Sequence, residues 1–178
     1  MGIRIPKEIS KKVVDFQNEI KKLGIDAKFV ESENLHINLK FFGSKTDEQI
    51  EDIKKIIANV SKNVNQFELS LKNIGVFPSE KFIRVLWIGV EPEKLKELYN
   101  KLEENFKSIG IENENRPFKP HLTLCRLRNQ KNKEILIKKI NEKFNFGGFI
   151  VNSLYLIESK LSTKGPKYIN LYEFKLKK

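Results

Sequence analysis

The sequence predicts an α+β fold with two similar lobes of antiparallel sheet and helices around a central cleft. Three observations favour it: short runs in which apolar and polar residues alternate, amphipathic stripes at helical spacing, and a pattern of both that occurs twice. We expect a single bilobal domain over residues 1–178, with copies of the repeat at roughly 1–80 and 81–178.

The repeat is clearest in the first helix of each copy. Pro6 begins the first of these helices, where its missing N–H costs nothing, and Gly24 ends it. Seven residues of this helix, its proline, its apolar stripe and its glycine, have counterparts 86 positions later in the second helix, which runs from Pro92 to Gly110. The seven residues in the first helix are Pro6, Ile9, Val13, Phe16, Ile20, Leu23 and Gly24. Such self-similarity indicates a two-copy repeat.

The rest of the first copy follows from periodicity and turn residues. Short apolar runs predict strands over 2–5 and 27–31. A capping-box sequence followed by regularly spaced isoleucines predicts a helix over 44–60. Strict alternation over 67–71 predicts a half-buried strand, and 73–81, which contains glycine and proline, is predicted to be a connection.

The second copy begins with a strand over 83–90 that is apolar on both faces and is therefore predicted to be central. After the second repeat helix, a further helix is predicted over 131–144, with a glycine pair ending it. Strands are predicted over 149–158 and 168–176. We interpret the basic segment 159–167 between them as a mobile loop near the ligand, with a simple hairpin connection as the alternative.

The only two histidines of the chain lie at matching places in the repeat. His36 and His121 each begin a tetrapeptide in which polar and apolar residues alternate. Because side chains alternate between the faces of a strand, His36 shares a face with Asn38, and His121 shares one with Thr123. A pseudo-two-fold axis between the copies would bring the two histidines to face each other across a groove.

Two facing imidazoles can divide the roles of acid and base near neutral pH. The Asn38 amide and the Thr123 hydroxyl can hydrogen-bond an oxyanion beside them. A zinc site is the alternative, but it would require a third ligand such as Glu31, Glu33 or Glu112, and the sequence has no metal-ligand spacing. Four basic residues surround the second histidine: Arg116, Lys119, Arg126 and Arg128. The predicted substrate is therefore a phosphate ester, and a strained cyclic phosphodiester would need no metal.

Charge and composition agree with this interpretation. The formal net charge of +11 favours an anionic partner, phosphate or nucleic acid first, although a lysine-rich solvated surface would give the same value. The single Cys125 excludes an internal disulfide framework, and its apolar strand indicates a packed thiol in a reducing compartment. No apolar run approaches the ~20 residues of a membrane helix, and no signal-peptide core is present. We expect a cytoplasmic protein.

The motifs around the histidines resemble those of a known family. Residues 34–43 are similar to its first motif, with the trailing Phe-x-Gly, and 117–126 match its Pro-Phe-x-Pro-His-x-Thr-Leu-x-Arg segment. Phe77-Pro78 followed by the run 84–87 resembles its central strand. The family is that of the RNA 2′,3′-cyclic phosphodiesterases, historically called 2′-5′ RNA ligases, in the two-histidine phosphoesterase superfamily. The resemblance covers nearly the whole chain.

The resemblance implies a bilobal fold with a central cleft and metal-free hydrolysis of a terminal RNA 2′,3′-cyclic phosphate to a 2′-phosphate, often with reversible 2′-5′ joining of RNA ends. The implied site residues are His36 and His121 as the acid–base pair, Asn38, Thr123 and Arg126 around the phosphate, and Phe41 near the substrate. It implies no cofactor. We expect a monomer in which His121 activates water and His36 protonates the 3′-oxygen, although the sequence leaves this order open.

Two positions depart from simple expectation. Asn38 stands where the family has threonine, so an amide replaces a hydroxyl at the phosphate. Arg126 lies five residues after His121, so strict alternation would turn it away from the site. Either a bulge or the end of the strand must turn it inwards, or it does not contact the phosphate. Two other functions stay open: a non-catalytic module that binds RNA ends, and a related esterase acting on 2′-5′ oligonucleotides or small cyclic nucleotides.

Overall fold

The computed structural model describes residues 1–91, 93–112, 117–162 and 165–178, with the side chains of 161, 162, 165 and 166 left out. The strands are β1 (Gly2–Arg4), β2 (Ala27–Phe29), β3 (His36–Asn38), β4 (Phe67–Ser79), β5 (Phe82–Val90), β6 (His121–Leu127), β7 (Asn145–Val151), β8 (Ser153–Ser162) and β9 (Gly165–Lys175). The helices are α1 (Lys7–Lys22), α2 (Asp47–Lys62), α3 (Glu93–Lys107) and α4 (Lys133–Ile140), with one 3₁₀ turn at Ser32–Asn34. The predicted α+β class is confirmed.

The strands form one sheet rather than two. Their order is β7-β4-β5-β6-β3-β1-β8-β9, with β2 pairing along β6, and the pairs within this sheet are antiparallel. The two histidine strands, β3 and β6, are neighbours at its centre, where Ile37 lies opposite Leu122. Both copies of the repeat therefore contribute to the same sheet and meet at the histidines.

Strand registers on either side of this centre correspond closely. Arg4 of β1 lies opposite His36, and Gly89 of β5 lies opposite His121. Adding 85 to both members of the first pair gives the second pair, and 85 is also the offset between the two histidines. This correspondence supports the predicted repeat and an axis passing between β3 and β6. The single two-lobed domain stays a prediction that these registers favour.

The helices are exchanged between the two copies. Helix α1, from the first copy, packs on β7 of the second and is linked to α4 by the Glu19–Lys139 ion pair, 3.3 Å between Oε2 and Nζ. Helix α3, from the second copy, packs against α2 of the first, and Phe106 contacts Phe42 edge-on at 5.1 Å between ring centroids. Each of these two helix pairs therefore contains one helix from each copy of the predicted repeat.

The central strands have one buried face and one open face. Ile37, Leu39, Leu122 and Leu124 are at most 2% exposed. The alternate residues on β3 and β6, which include both histidines, are half-buried or exposed. The alternation predicted from the sequence is confirmed, and it turns the polar residues away from the helices.

The predicted connection over 73–81 is wrong, because β4 continues to Ser79. Asn73, at φ 58°, lies at a shift in the β4–β5 register and forms a bulge rather than a strand end. Gly75 lies directly against the Trp87 indole, where any side chain would collide with the ring. Turn-forming residues here serve to bend the strand and to admit an aromatic ring.

The prediction for the C-terminal region is also corrected. The segment predicted as one strand over 149–158 divides at Asn152 into β7 and β8, which pair with β4 and β1 at different places in the sheet. Most of the predicted loop 159–167 belongs to the β8–β9 hairpin, and residues 163 and 164 lie outside the described residues. The predicted helix over 131–144 is shorter, and its glycine pair lies within β7.

Three smaller expectations can be compared with the described residues. The capping box of α2 is confirmed, with Thr46 and Gln49 exchanging backbone and side-chain hydrogen bonds. Cys125 is a free, buried thiol whose pKa is raised to about 12 by burial, so it is packed as predicted. Pro92, the predicted start of α3, lies outside the described residues. Within the described ranges, none of the helices combines the length and apolar character that crossing a membrane requires.

Candidate active site

A cleft of about 470 Å³ opens on the polar face at the centre of the sheet. Six of its lining residues are the predicted site residues His36, Asn38, Phe41, His121, Thr123 and Arg126. The others are Lys28, Phe29, Val30, Glu31 and Asn34 from the segment before β3, and Ser159 and Tyr168 from the β8–β9 hairpin. Folding therefore brings together all six predicted residues, whereas the basic Arg116 lies outside the described residues.

Each histidine is held by the backbone carbonyl two residues before it. Nδ1 of His36 lies 2.8 Å from the carbonyl oxygen of Asn34, and Nδ1 of His121 lies 2.7 Å from that of Lys119. Because a carbonyl oxygen can only accept a hydrogen bond, Nδ1 of each ring must carry a proton. Nε2 is then the nitrogen that gains or loses a proton, which is the arrangement that acid–base chemistry requires.

Strand register fixes the spacing of the polar groups. With Ile37 opposite Leu122, His36 faces Thr123 and Asn38 faces His121 across the strand pair. Directly opposite residues have Cβ atoms about 4.5–5.5 Å apart, and diagonal neighbours such as the two histidines are about 7–8 Å apart. The two imidazoles and their two hydrogen-bonding neighbours therefore surround a space that suits one phosphate group.

Both histidines have a pKa below the ordinary value. Burial lowers the pKa of His36 most; its carbonyl contact opposes this, and the charges of Arg4 and His121 lower it further. Burial also lowers the pKa of His121, again opposed by its carbonyl contact, and Arg126 and Lys119 add to the lowering. Both rings are therefore biased towards the neutral form until an anion enters the cleft.

The sequence alone did not identify the residues that flank His36. The ring of Tyr168 lies 4.8 Å from the His36 ring. Arg4, beside His36 in β1, donates to Oδ1 of Asn170 at 2.8 and 3.0 Å and to the carbonyl of Glu33 at 2.9 Å. Arg4 therefore links β1 and the turn before β3 to β9. In the sequence, the signal for this contact was that Arg4 lies in a predicted strand whose side chains could share a face of the sheet with His36.

The surroundings of His121 are aromatic instead. Phe77 meets its ring edge-on at 5.1 Å, and Trp87 lies 6.0 Å away. The position that corresponds to Arg4 in the repeat is Gly89, which has no side chain. The two halves of the cleft therefore hold their histidines by the same backbone contact but in chemically different surroundings.

A bulge turns Arg126 into the cleft. Trp87 of β5 lies opposite Thr123, and the residue before it, Leu86, lies opposite Cys125. Leu124 is therefore an extra residue in β6. Leu124 and Cys125 are both fully buried, and the alternation resumes with Arg126 on the open face. Of the two ways in which Arg126 could be turned inwards, the structure has the bulge.

Of the glutamates considered as metal ligands, one is held through its carboxylate, and the contacts of the other two are made by their backbone carbonyls. The Glu31 carboxylate lines the cleft and accepts a hydrogen bond from the Asn34 side chain at 3.0 Å. The carbonyls of Glu33 and Glu112 accept from Arg4 and Lys40. In the described part of the chain, no three histidine, cysteine, aspartate or glutamate side chains are grouped as a metal site would need.

The chain is similar to known proteins over almost its whole length. The family model described as "AKAP7 2′5′ RNA ligase-like domain" matches residues 2–176. A protein of Methanocaldococcus jannaschii named RNA 2′,3′-cyclic phosphodiesterase is 36% identical over 94% of both chains. One of Methanothermobacter thermautotrophicus with the same name is 33% identical over 99% of this chain and 97% of its own.

Solved structures lead to the same assignment. The crystal structure of TT0787 from Thermus thermophilus superposes with a TM-score of 0.85 at 26% identity, over 98% of this chain and 95% of its own. Family model, relatives and fold agree over almost the full length, as the histidine motifs predicted. The chain belongs to the 2′-5′ RNA ligase-like family of the two-histidine phosphoesterases.

Proposed function

We propose that the protein hydrolyses the 2′,3′-cyclic phosphate at the end of an RNA to a 2′-phosphate, with His36 and His121 as its acid–base pair. The observation that carries this proposal is the matched pair of imidazoles, each with a protonated Nδ1 held by a carbonyl, on one face of adjoining strands. The names of the curated relatives support the choice of reaction and substrate.

The reaction needs two proton transfers at one phosphorus atom. One neutral Nε2 takes a proton from water as the water oxygen bonds to phosphorus, and the other ring, protonated at Nε2, gives its proton to O3′ as the P–O3′ bond breaks. The products are a 2′-phosphate and a 3′-hydroxyl. We keep the order predicted from the sequence, in which His121 activates water and His36 protonates O3′.

The remaining cleft residues suit a phosphate that carries negative charge throughout. Thr123 can donate its hydroxyl and Asn38 its amide to the non-bridging oxygens, and the Arg126 guanidinium adds positive charge beside them. Phe41, 72% exposed at the edge of the cleft, offers an aromatic face to the terminal base. These contacts strengthen as charge develops on the oxygens, which is how they would accelerate the reaction.

The same site could also join or cleave RNA. If a 5′-hydroxyl of a second RNA replaces water, the same two proton transfers create a 2′-5′ phosphodiester, and their reversal cleaves it. Joining needs only the bond energy of the cyclic phosphate, and cleavage forms that cyclic phosphate again together with a 5′-hydroxyl.

A single assay tests the proposal against the binding alternative. RNA ending in a 2′,3′-cyclic phosphate should be converted to the 2′-phosphate, as followed by phosphorus NMR, and prior dialysis against EDTA should leave the rate unchanged. Tight binding without product would instead favour a module that holds RNA ends. Asn38, in the place of the usual hydroxyl, is the residue that favours this second function.

The pH dependence should be displaced towards acid. Catalysis needs one neutral and one protonated ring, a state that is most populated between the two pKa values of the pair. Because burial lowers both below the usual 6.5, kcat/KM, which reports the free enzyme, should be highest below pH 6.5 and fall as the last proton is lost. A maximum at about pH 8 in a kcat/KM profile would contradict this interpretation of the two sites.

A further inference from the structure

A second cavity adjoins the active-site cleft. Its volume is about 380 Å³. It is lined by Phe82, Ile83, Arg84, Arg126, Leu127, Arg128, Asn129 and Gln130. We call it the arginine groove. Arg126 lines both the cleft and the arginine groove, so a chain bound at the histidines can continue past Arg126 into the groove.

The arginine groove carries uncompensated positive charge. Arg128 is paired with Asp26, 3.2 Å between Nη1 and Oδ1. Within the described residues, however, neither Arg84 nor Arg126 has a carboxylate at ion-pair distance. Such a row of cations beginning at a phosphate site suits a partner with repeated negative charges.

An exposed aromatic ring accompanies these charges. Phe82 is 47% exposed, and the Arg84 guanidinium lies 5.3 Å from the centre of its ring. Phe82 lies at the start of β5, the strand that pairs with β6. An aromatic face next to an arginine is the combination on which single-stranded nucleic acids stack a base while a phosphate is neutralised.

The floor of the groove is held in place by hydrogen bonds. The Gln130 side chain accepts from the backbone N–H of Ile83 at 2.9 Å and donates to its carbonyl at 2.8 Å. Asn129 donates to Oδ2 of Asp26 at 2.8 Å, the carboxylate that also contacts Arg128. The segment after β6 is therefore fixed to β5, and the groove exists before any ligand binds.

We infer that the arginine groove binds the nucleotides immediately 5′ of the cyclic phosphate in a single-stranded RNA end, with Phe82 stacking a base and Arg84 contacting a phosphate. The inference rests on the proposed function, since it takes the histidine cleft as the place of the terminal phosphate. It adds that the enzyme distinguishes an RNA chain from a free cyclic nucleotide through residues outside that cleft.

Two substrates separate the groove from the catalytic cleft. One is a 2′,3′-cyclic mononucleotide, and the other is a short single-stranded oligoribonucleotide ending in a 2′,3′-cyclic phosphate. Phe82→Ala should raise KM for the oligonucleotide about tenfold, within the range for loss of one base–aromatic stack. Arg84→Ala should raise KM for the oligonucleotide and reduce the slope of log KM against log salt by about 0.7. Hydrolysis of the mononucleotide should be unchanged in both variants.

Matched variants control for charge and folding. Lys96→Ala removes one exposed positive charge from α3 and should leave the oligonucleotide KM and its salt slope unchanged. Phe82→Trp should retain the oligonucleotide KM, whereas Phe82→Leu should behave like alanine. Fluorescence anisotropy of labelled RNA ending in a 2′-phosphate provides a binding readout that does not depend on turnover.

The outcomes distinguish the inference from the function on which it rests. Equal effects of Phe82→Ala and Arg84→Ala on both substrates, or no effect on either KM or binding, would overturn the groove assignment. If the unaltered protein hydrolysed neither substrate, the proposed function would fail, and anisotropy would still decide the groove through the same variants.

Discussion

Replacing either His36 or His121 with alanine should slow hydrolysis of an RNA 2′,3′-cyclic phosphate by about 10²–10⁴-fold, the usual contribution of a general acid or base. Each ring has one proton to move, and each is held by the backbone carbonyl two residues before it. The loss should appear mainly in kcat, because the phosphate still has Thr123 and Arg126 to bind it.

Asparagine variants provide the matched control. His36→Asn and His121→Asn retain a donor that can reach the carbonyl bound by Nδ1, but they cannot take up a proton. If the histidines act in proton transfer, the asparagine variants should hydrolyse the substrate as slowly as the alanine variants. If the histidines had a purely structural role, asparagine should restore the rate. The double alanine variant should lose little more than either single variant, because both rings act in one step. Full activity in either single variant would end the assignment.

The catalytic centre could be predicted because its pattern is local. His36 and Asn38, and likewise His121 and Thr123, are two residues apart on a strand, and alternation alone puts each pair on one face. The repeat then predicted the long-range contact, because the two histidine strands are equivalent and were expected to meet at the pseudo-two-fold axis. Ile37 and Leu122, opposite each other at the centre of the sheet, are equivalent positions of that repeat.

What the sequence could not supply was the place where regular geometry is broken. Nothing in the run from His121 to Arg126 indicates that Leu124 is the extra residue, because leucine and the following Cys125 are both ordinary core residues. The bulge depends on how β5 pairs, which is a tertiary effect. Gly75 was misinterpreted for the same reason: glycine favours a turn locally, whereas here it admits the indole of Trp87 within a long strand.

Helix exchange was equally invisible to sequence reasoning. The apolar stripes of α1 and α3 indicate that each packs against something, but periodicity does not say which strand or helix it meets. Because α3 crosses to α2, one of its polar residues, Glu103, meets a lysine of the other copy. A glutamate next to Leu102 on an amphipathic helix would ordinarily be assigned to the solvent edge.

Lys40 and Glu103 form a buried ion pair beside the cleft. Both residues are at most 4% exposed. Nζ of Lys40 donates to Oε2 of Glu103 at 2.9 Å and to the carbonyl of Glu112 at 3.0 Å. The other carboxylate oxygen, Oε1, lies 2.7 Å from the same nitrogen, so both oxygens of Glu103 face the ammonium group. Lys40 separates Asn38 from Phe41, and the pair therefore anchors this corner of the site to α3.

Removing one partner of this pair should strongly destabilise the protein. Lys40→Ala leaves the Glu103 carboxylate buried without a counter-charge, and we expect a loss of about 3–5 kcal/mol in the free energy of unfolding. Urea unfolding measures this directly. Lys55→Ala breaks an ion pair with Asp52 that is exposed on both sides, 75% and 44%, and should leave the urea midpoint nearly unchanged, because water and salt screen such pairs.

The double replacement Lys40→Met with Glu103→Leu separates the two possible origins of that loss. If the cost of Lys40→Ala comes from the carboxylate left behind, apolar residues of similar volume at both positions should restore stability to near the original value or above it, because neither charge then has to be desolvated. A double variant as unstable as Lys40→Ala would instead mean that the pair itself, together with the Glu112 contact, holds this corner in place. In that case, Lys40→Met alone should be as stable towards unfolding as the double variant. If the isolated buried carboxylate is the cause, Lys40→Met should be less stable than the double variant, because only the single variant retains Glu103.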